Sequence, residues 1–171
     1  MSQFSIGWYL LYTRPHQEYK VVSGLLENSI QAYLPCTNVK KKWSDRMKTV
    51  KVPLFPSYVF VYLRNVQEFF YGCTVEGAVD YVRLGKDAAK VKEQEIESVK
   101  LIEQGAENIE VSYEPFSPGE KLMIMQGPLS GLTCEVVRQS GRHKILVRVN
   151  LIKQHILADL PVTALMENVN E

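Results

Sequence analysis

Two segments of the chain carry apolar or aromatic side chains on both faces of a strand, and they restrict the possible folds more than any other feature. Residues 8–12 read WYLLY, and residues 54–63 read LFPSYVFVYL. Successive side chains of a strand point to opposite faces, so such segments need a covering layer on each side. Both segments are therefore predicted to be central strands of a sheet.

The surrounding segments predict an α+β domain. Helical spacing of apolar residues and turn-forming residues between β-rich stretches mark its other elements. The predicted elements are a strand over 8–12, a helix from the Thr13-Arg14-Pro15 start signal to Asn28, a basic hairpin over 39–43 and 47–52, a strand over 54–63, a helix over 67–73, a strand over 78–84 and a helix over 93–104. An antiparallel sheet flanked by helices accommodates these elements.

The pattern changes after residue 105. Residues 106–116 contain three glutamates and no clear periodicity, which predicts a linker. Beyond it, short alternating strands are separated by glycine turns, which is typical of a small β-barrel. The strands are predicted over 121–125, 133–139, 144–149, 154–157 and 162–165. The predicted organisation is thus a domain over 1–105, a linker over 106–116 and a barrel domain over 117–171.

Composition excludes several classes of function. The three cysteines Cys36, Cys73 and Cys134 form no CxxC pair and lie far from any histidine pair, so we expect free thiols and neither a zinc site nor a disulfide framework. No histidine has a nucleophile or acid partner in sequence, so we expect no enzyme and no cofactor. No apolar run approaches the roughly 20 residues of a membrane span, which predicts a soluble, cytoplasmic protein.

Charge is distributed unevenly along the chain. Residues 1–54 hold eight basic against three acidic side chains, although the whole chain has a formal net charge of only +1. Around the predicted hairpin, Asp45 is the only acidic residue, and Trp43 lies within the basic stretch. Basic side chains beside an exposed aromatic ring suit phosphate contact together with base stacking, so this lobe is expected to contact a polyanion.

Several motifs together resemble the NusG family of transcription factors. The first group is Trp8-Tyr9, Thr13, Glu18-Tyr19-Lys20, Pro35 and Pro53-Leu54-Phe55-Pro56-Ser57-Tyr58-Val59-Phe60-Val61; the second, similar to the KOW motif, is Gly119-Glu120-Lys121, Gly127-Pro128-Leu129-Ser130-Gly131-Leu132 and Glu135-Val136-Val137. The resemblance implies a NusG N-terminal domain followed by an SH3-like KOW barrel. Ser57 in place of a usual glycine and Cys134 in place of another are closer in character to specialised paralogues of the RfaH and UpxY type.

The resemblance also implies a role in transcription elongation and antitermination without covalent chemistry. It implies docking on the β′ clamp helices of RNA polymerase and contact with the β subunit, and operon-specific action of the polysaccharide or capsule type. The docking depression is assigned to Leu10, Tyr12, Tyr58, Phe60 and Leu84. Tyr58 and Phe60 are expected to be only partly buried in the free protein, with the ring edge of Phe60 in the core. Val59, Val61 and Trp8 are expected to be core residues.

The expected nucleic-acid ligand is the non-template DNA strand. The residues assigned to it are Arg14, Lys20, Lys40, Lys41, Lys42, Trp43 and Arg46. Glu76 stands where RfaH carries a DNA-contacting arginine, so any sequence reading differs from that of RfaH.

More than one binding partner stays open for the barrel domain. The resemblance implies ribosomal protein S10 or termination factor Rho, with a surface near Met123, Met125, Leu129 and Leu132. Two alternatives also stay open. The chain could be a general NusG that couples to Rho or the ribosome, or a KOW-type RNA-binding protein of ribosomes or their maturation.

Overall fold

The computed structural model describes residues 4–114, 116–160 and 166–169. The chain divides into two compact units, Met1–Glu93 and Gln94–Glu171. Within the described ranges, no helix is both long and apolar enough to cross a membrane. The three cysteines are free thiols.

The first unit is built on an antiparallel sheet. Its strands and helices are β1 (Gly7–Thr13), α1 (Glu18–Glu27), β2 (Gln31–Tyr33), β3 (Cys36–Lys42), β4 (Met47–Pro53), β5 (Tyr58–Leu63), α2 (Val66–Thr74), β6 (Ala78–Tyr81), β7 (Arg83–Leu84), β8 (Asp87–Ala88) and β9 (Lys90–Val91). The main sheet has the order β2-β5-β1-β6, and β9 also pairs with β1. Strands β3 and β4 form a separate hairpin, as do β7 and β8. The two doubly apolar segments therefore supply central strands, as the sequence predicts, and the structure shows that these strands are adjacent.

One face of this sheet packs on the helices. Tyr9 and Leu11 of β1 join Val59 and Val61 of β5 in a core cluster that also contains Val21 and Leu25 of α1. Phe69 of α2 packs against the same cluster. The predictions that Val59 and Val61 belong to the core are confirmed, since both are fully buried, and Trp8 is also buried.

The predicted strand over 78–84 is wrong, because the structure divides it into β6 and β7 of different sheets. Two further elements begin later than predicted. Helix α1 begins at Glu18 and not at the Thr13-Arg14-Pro15 signal, because His16 has a φ of 62°, in the left-handed region that a helix cannot include. Strand β5 begins at Tyr58 and not at Leu54, because Ser57 has a φ of 68° and ends a turn. In both cases a turn lies directly before the element concerned, which is α1 or β5.

Helix α3 spans Glu93–Gly105, and the second unit begins within it, at Gln94. The unit also contains an antiparallel sheet. The strands are β10 (Glu110–Ser112), β11 (Glu120–Ile124), β12 (Thr133–Gln139), β13 (Arg142–Val149), β14 (Gln154–Asp159) and β15 (Met166–Asn168), with a 3-10 turn at Asn150–Ile152. The sheet order is β10-β14-β13-β12-β11-β15. Four of the five predicted strands are present, and the predicted strand at Val162–Leu165 lies outside the described residues.

The structure adds a strand within the segment predicted as a linker. Val111 of β10 lies opposite Ile156 of β14, so Glu110–Ser112 extends the sheet. The pairing occupies an edge of β14 that no other described strand covers. The segment 106–116 therefore contains a short strand, although its apolar residues show little periodicity.

Candidate functional site

An aromatic row lies along the face of the main sheet opposite the helices. In the β1–β5 ladder Trp8 lies opposite Tyr62, Leu10 opposite Phe60, and Tyr12 opposite Tyr58. Residues directly opposite each other share a face, so these six side chains form three consecutive pairs. The ring centroids are 5.4 Å apart for Trp8 and Tyr62, and 5.5 Å apart for Tyr12 and Tyr58.

The middle of this row is core. Leu10 is 0% and Phe60 1% exposed. The rings of Tyr33 and Phe55 lie about the Phe60 ring, with centroids 6.0 Å and 6.1 Å away. The expectation that Phe60 is only partly buried is therefore wrong, because rings from β2 and from the turn before β5 pack against it. Leu10, which was also assigned to the docking depression, is buried as well.

The end of the row remains accessible. Tyr12 is 40% exposed, and Tyr58 is half-buried beside it. Leu84, which is 69% exposed, lies elsewhere, next to the Gly85-Lys86 turn of the β7–β8 hairpin. The accessible members of the predicted polymerase-binding set are thus the pair Tyr12 and Tyr58, here named the tyrosine pair, and Leu84.

A buried carboxylate fixes the backbone beside the tyrosine pair. Glu18 is 4% exposed, and its Oε1 accepts a hydrogen bond from the Ser57 N–H at 2.8 Å. The Ser57 carbonyl accepts one from the Thr13 N–H, also at 2.8 Å. Since Ser57 directly precedes Tyr58 and Thr13 directly follows Tyr12, these bonds hold the two tyrosines in register.

The left-handed conformation at Ser57 explains why a glycine suits this position. Its φ of 68° is a region that glycine enters without a steric penalty and that other L-residues rarely adopt. Serine carries the penalty here, and the Glu18 hydrogen bond offsets it. Sequence reasoning identified the substitution at Ser57 but not the buried partner on α1.

The basic hairpin has two different faces. Lys41 lies directly opposite Lys48, whereas Lys40 lies opposite Thr49 and Lys42 opposite Met47. Because side chains alternate along a strand, Lys41 and Lys48 share one face and Lys40 and Lys42 the other. The run Lys40-Lys41-Lys42 is therefore not one patch, although all three side chains are exposed.

Trp43 belongs to the face that carries Lys41 and Lys48, here named the tryptophan face. The Lys48 Nζ lies 5.3 Å from the centroid of the indole ring, within cation–π range. Trp43 is 53% exposed and donates its backbone N–H to the Arg46 carbonyl at 2.8 Å, which closes the hairpin end. Sequence reasoning missed Lys48 as a site residue; pairing the two predicted strands across a tight turn is the signal that places it opposite Lys41.

The other two predicted basic residues lie at α1 and before it. Arg14 is exposed, and Lys20 forms an ion pair with Glu76 at 2.5 Å. The hydrogen bond from Lys20, with further attraction from Lys20 and Arg14, lowers the pKa of the Glu76 carboxyl. Glu76 therefore neutralises one of the predicted phosphate-binding cations, at the position where the sequence already departs from RfaH.

The second unit has an ion pair between Arg148 and Glu135 beside the start of its sheet. The Arg148 guanidinium donates to both Glu135 carboxylate oxygens, at 2.7 Å and 2.9 Å, and to the Phe116 carbonyl. Glu135 also accepts from the Gly119 N–H at 2.9 Å. The Arg148 hydrogen bond lowers the pKa of the Glu135 carboxyl despite its partial burial. The Arg148–Glu135 ion pair and its backbone hydrogen bonds thus connect the segment before β11 to strands β12 and β13.

The predicted partner surface of this unit is only partly accessible. Leu129 and Leu132 are fully buried, whereas Met125 is 42% exposed and Met123 half-buried. The expectation that both leucines belong to a surface is wrong, because the turn between β11 and β12 directs them into the core. Across residues 4–114, 116–160 and 166–169, no group of three or more His, Cys, Asp or Glu side chains could hold a metal ion.

The comparisons with known proteins agree on one family. Residues 7–100 match the family model described as NusG, transcription termination factor nusG. The transcription termination/antitermination protein NusG of Lactococcus lactis subsp. lactis (strain IL1403) is 25% identical over 154 residues, covering 82% of this chain and 82% of that protein. A solved structure of Thermotoga maritima NusG, on its domain interaction, is similar with a TM-score of 0.54 at 20% identity, over 97% of this chain and 98% of that one. At that identity the structural similarity supports the fold alone.

Proposed function

The chain belongs to the NusG family of transcription termination and antitermination factors, and from this premise we propose that it binds RNA polymerase at the β′ clamp helices and promotes processive transcription of specific operons. The observation that carries the proposal is the accessible tyrosine pair. It lies on the β1–β5 ladder, inside the residues that the family model matches. The factor acts in the cytoplasm and needs no cofactor.

The tyrosine pair has the chemistry of an anchor for a helical partner. Tyrosine buries a large aromatic area while its hydroxyl stays in contact with water, and such residues often contribute most of the binding energy of an interface. The Glu18 and Thr13 hydrogen bonds hold the pair in place before binding, which reduces the entropy lost on association. Leu84 supplies a further exposed apolar contact.

The proposed mechanism is a shift in the conformation of the polymerase. A protein that binds the closed clamp more tightly than the open clamp stabilises the closed, processive state by the difference between the two affinities. Contacts with the β subunit on the other side of the cleft increase this difference. The proposed contacts with the non-template strand are exposed side chains, namely Arg14, Lys20, Lys40, Lys41, Lys42, Trp43 and Arg46.

Residues 117–171 are proposed to be the KOW-type SH3-like barrel, and residues 106–116, which include β10, are proposed to connect it to a first domain over 1–105. Gly131 supports this assignment with a φ of 89°, and Gly119 because a Cβ there would lie 2.7 Å from the Val136 carbonyl oxygen. Its partner is S10 or Rho, and the exposed side of Met125 is the available apolar contact.

Capture of core RNA polymerase by the full-length chain tests the proposal. We expect wild type to retain polymerase and the Tyr12→Ala/Tyr58→Ala double variant to lose at least about 2 kcal/mol of affinity. Phe70→Ala is the matched control, because Phe70 is 67% exposed on α2, on the helix-covered side of the sheet. Polymerase binding that is equally strong in the double variant contradicts the docking model.

Deletion of the gene separates the operon-specific role from the general one. Reduced distal transcripts in one or a few operons support the proposal, whereas changes across the genome indicate a general NusG. Tight binding to structured RNA with no polymerase association indicates the ribosomal alternative.

A further inference from the structure

One face of the sheet in the second unit carries three buried apolar side chains, Val137, Leu146 and Leu157, here named the apolar cluster. Phe116 packs against this cluster. It belongs to residues 107–117, here named the covering segment, which contains β10 and ends shortly before β11. The apolar cluster is therefore covered by a part of the chain that precedes the strands on which it lies.

The covering segment also pairs with the sheet as a short edge strand. Glu110 of β10 lies opposite Leu157 of β14, which belongs to the apolar cluster. Residues directly opposite each other in an antiparallel ladder share a face, so Glu110 lies on the side of the cluster. Its carboxylate forms an ion pair with the Lys144 ammonium group. The segment thus adds both a strand and a negative charge to this face.

A guanidinium group holds the far end of the covering segment. Arg148 donates one hydrogen bond to the Phe116 carbonyl at 3.1 Å and another to the Ser117 carbonyl at 3.4 Å. The Glu135 carboxylate accepts two further bonds from the same group, at 2.7 Å and 2.9 Å, which fixes its orientation. Arg148 is therefore a preorganised donor to the backbone of a chain that crosses the apolar cluster.

The covering segment protrudes between its two points of attachment. Tyr113 is 69% exposed, and Glu114 is exposed as well. Strand β10 has only three residues, and the Glu110 side chain is 49% exposed in its ion pair. Short edge strands and exposed ion pairs contribute little to stability. We therefore expect this face to exchange its cover while the strands beneath keep their own ladder.

From this arrangement we propose that the face around the apolar cluster is a docking site for an extended acidic segment of a partner protein, which replaces the covering segment. The partner segment pairs with the edge of β14, packs an aromatic side chain on the apolar cluster and places a carboxylate beside Lys144. The inference goes beyond the proposed function, because it does not depend on polymerase docking and uses strands other than the β11–β12 turn that carries Met125.

The chemistry of the occupant is inferred from the side chains of the face. Lys144, Leu146 and Arg148 alternate along β13 on the side of the cluster, so two cations flank an apolar position. The covering segment, which satisfies this face, contains three glutamates, one phenylalanine and no basic residue. A partner of the same chemistry is complementary in charge and shape. A nucleic-acid strand lacks the backbone N–H groups that pair with a strand edge.

Competition between the covering segment and the partner gives the site a distinctive signature. A tethered segment acts at an effective concentration on the order of millimolar. The apparent affinity for a partner is lowered by the fraction of molecules in which the face is open. Weakening the cover is therefore expected to strengthen partner binding, whereas weakening an ordinary contact residue would reduce it.

Fluorescence anisotropy with the full-length chain tests this expectation. The probe is a labelled synthetic peptide with the sequence of residues 107–117, titrated into wild type and into Glu110→Ala/Phe116→Ala. The variant loses both side-chain anchors of the cover and keeps the face, so we expect it to bind the peptide about tenfold more tightly. Tyr113→Ala is the matched control and is expected to bind as wild type does. An affinity no higher in the double variant than in wild type overturns the inference.

Changes in the peptide and in the face identify the contacts. In the double-variant background, Lys144→Glu is expected to weaken peptide binding several-fold, and a peptide with Glu110→Lys to restore it. A peptide with Phe116→Ala is expected to bind about tenfold more weakly. Binding that survives Lys144→Glu, or that the exchanged peptide does not restore, overturns the assignment. Equal binding of the Phe116→Ala peptide together with displacement by oligothymidylate indicates a general polyanion site and also overturns it.

Hydrogen exchange on the wild-type chain gives a test that holds even if the double variant unfolds. Saturating peptide is expected to speed amide exchange in Glu110–Ser112 and to leave β13 protected, because the cover is displaced and the sheet remains. Unchanged exchange in β10 with the peptide bound overturns the inference. Polymerase capture by the wild-type chain is expected to be the same with and without peptide, so loss of the docking proposal leaves this result intact.

Discussion

Replacing Glu18 with alanine is expected to destabilise the first unit, because the Ser57 N–H then has no acceptor. The carboxylate is 4% exposed, and the bond is 2.8 Å long. A hydrogen bond to a charged group contributes about 1.5–3 kcal/mol, and an unsatisfied buried donor costs a similar amount. Glu18→Ala is therefore expected to lower the free energy of unfolding by about 2 kcal/mol. In a unit of this size that corresponds to a Tm lower by roughly 10 °C.

Thermal unfolding followed by circular dichroism measures this change, and two variants control for its cause. Glu18→Gln keeps an acceptor oxygen and is expected to lose less than half as much stability. Glu27→Ala removes an exposed carboxylate from the same helix and is expected to stay within about 0.5 kcal/mol of wild type. A Glu18→Ala protein as stable as Glu27→Ala refutes the view that this hydrogen bond holds the turn before Tyr58.

Three further predictions follow from the other contacts. Phe60→Ala is expected to lower the free energy of unfolding by about 3–5 kcal/mol and Tyr12→Ala by clearly less, because only Phe60 is fully buried; denaturant unfolding compares them, and equal losses contradict the division of the aromatic row. Glu76→Gln removes the partner of Lys20 and is expected to raise nucleic-acid affinity and to steepen its salt dependence by about one unit, measured by titration at several salt concentrations; an unchanged slope places Lys20 away from phosphates. Burial lowers the pKa of His155, so the unfolded chain binds a proton at this side chain more readily than the folded chain does. The stability contributed by neutral His155 is therefore present above its unfolded pKa of about 6.5 and is lost as the pH falls below it. Thermal unfolding between pH 7 and pH 5 is expected to show this loss, and the His155→Gln variant is expected to show a smaller one.

The sequence predicts the central strands well because their signal is local. Every position of residues 8–12 and 58–63 is apolar or aromatic, and only a strand with both faces covered fits that pattern. The extent to which Phe60 is buried depends on Tyr33 and Phe55, whose rings pack against it. No local pattern reports such neighbours.

The hairpin shows the same division between local and distant information. Its two strands and turn are predicted from residue type, but which lysines share a face depends on the register, and a shift by one residue exchanges the faces. The onset of α1 illustrates another limit. Pro15 is a valid start signal, yet His16 adopts a left-handed φ, and the helix begins only at Glu18.

Site-specific photo-crosslinking from position 12 tests the central claim most directly. A photoreactive phenylalanine analogue in place of Tyr12 occupies the accessible end of the aromatic row, and the same analogue in place of Phe70 reports the opposite side of the sheet. In the elongation complex, the account predicts a crosslink from position 12 to the β′ clamp helices and none from position 70. A crosslink to β′ from position 70 alone, or from neither position in a complex that contains the factor, contradicts it.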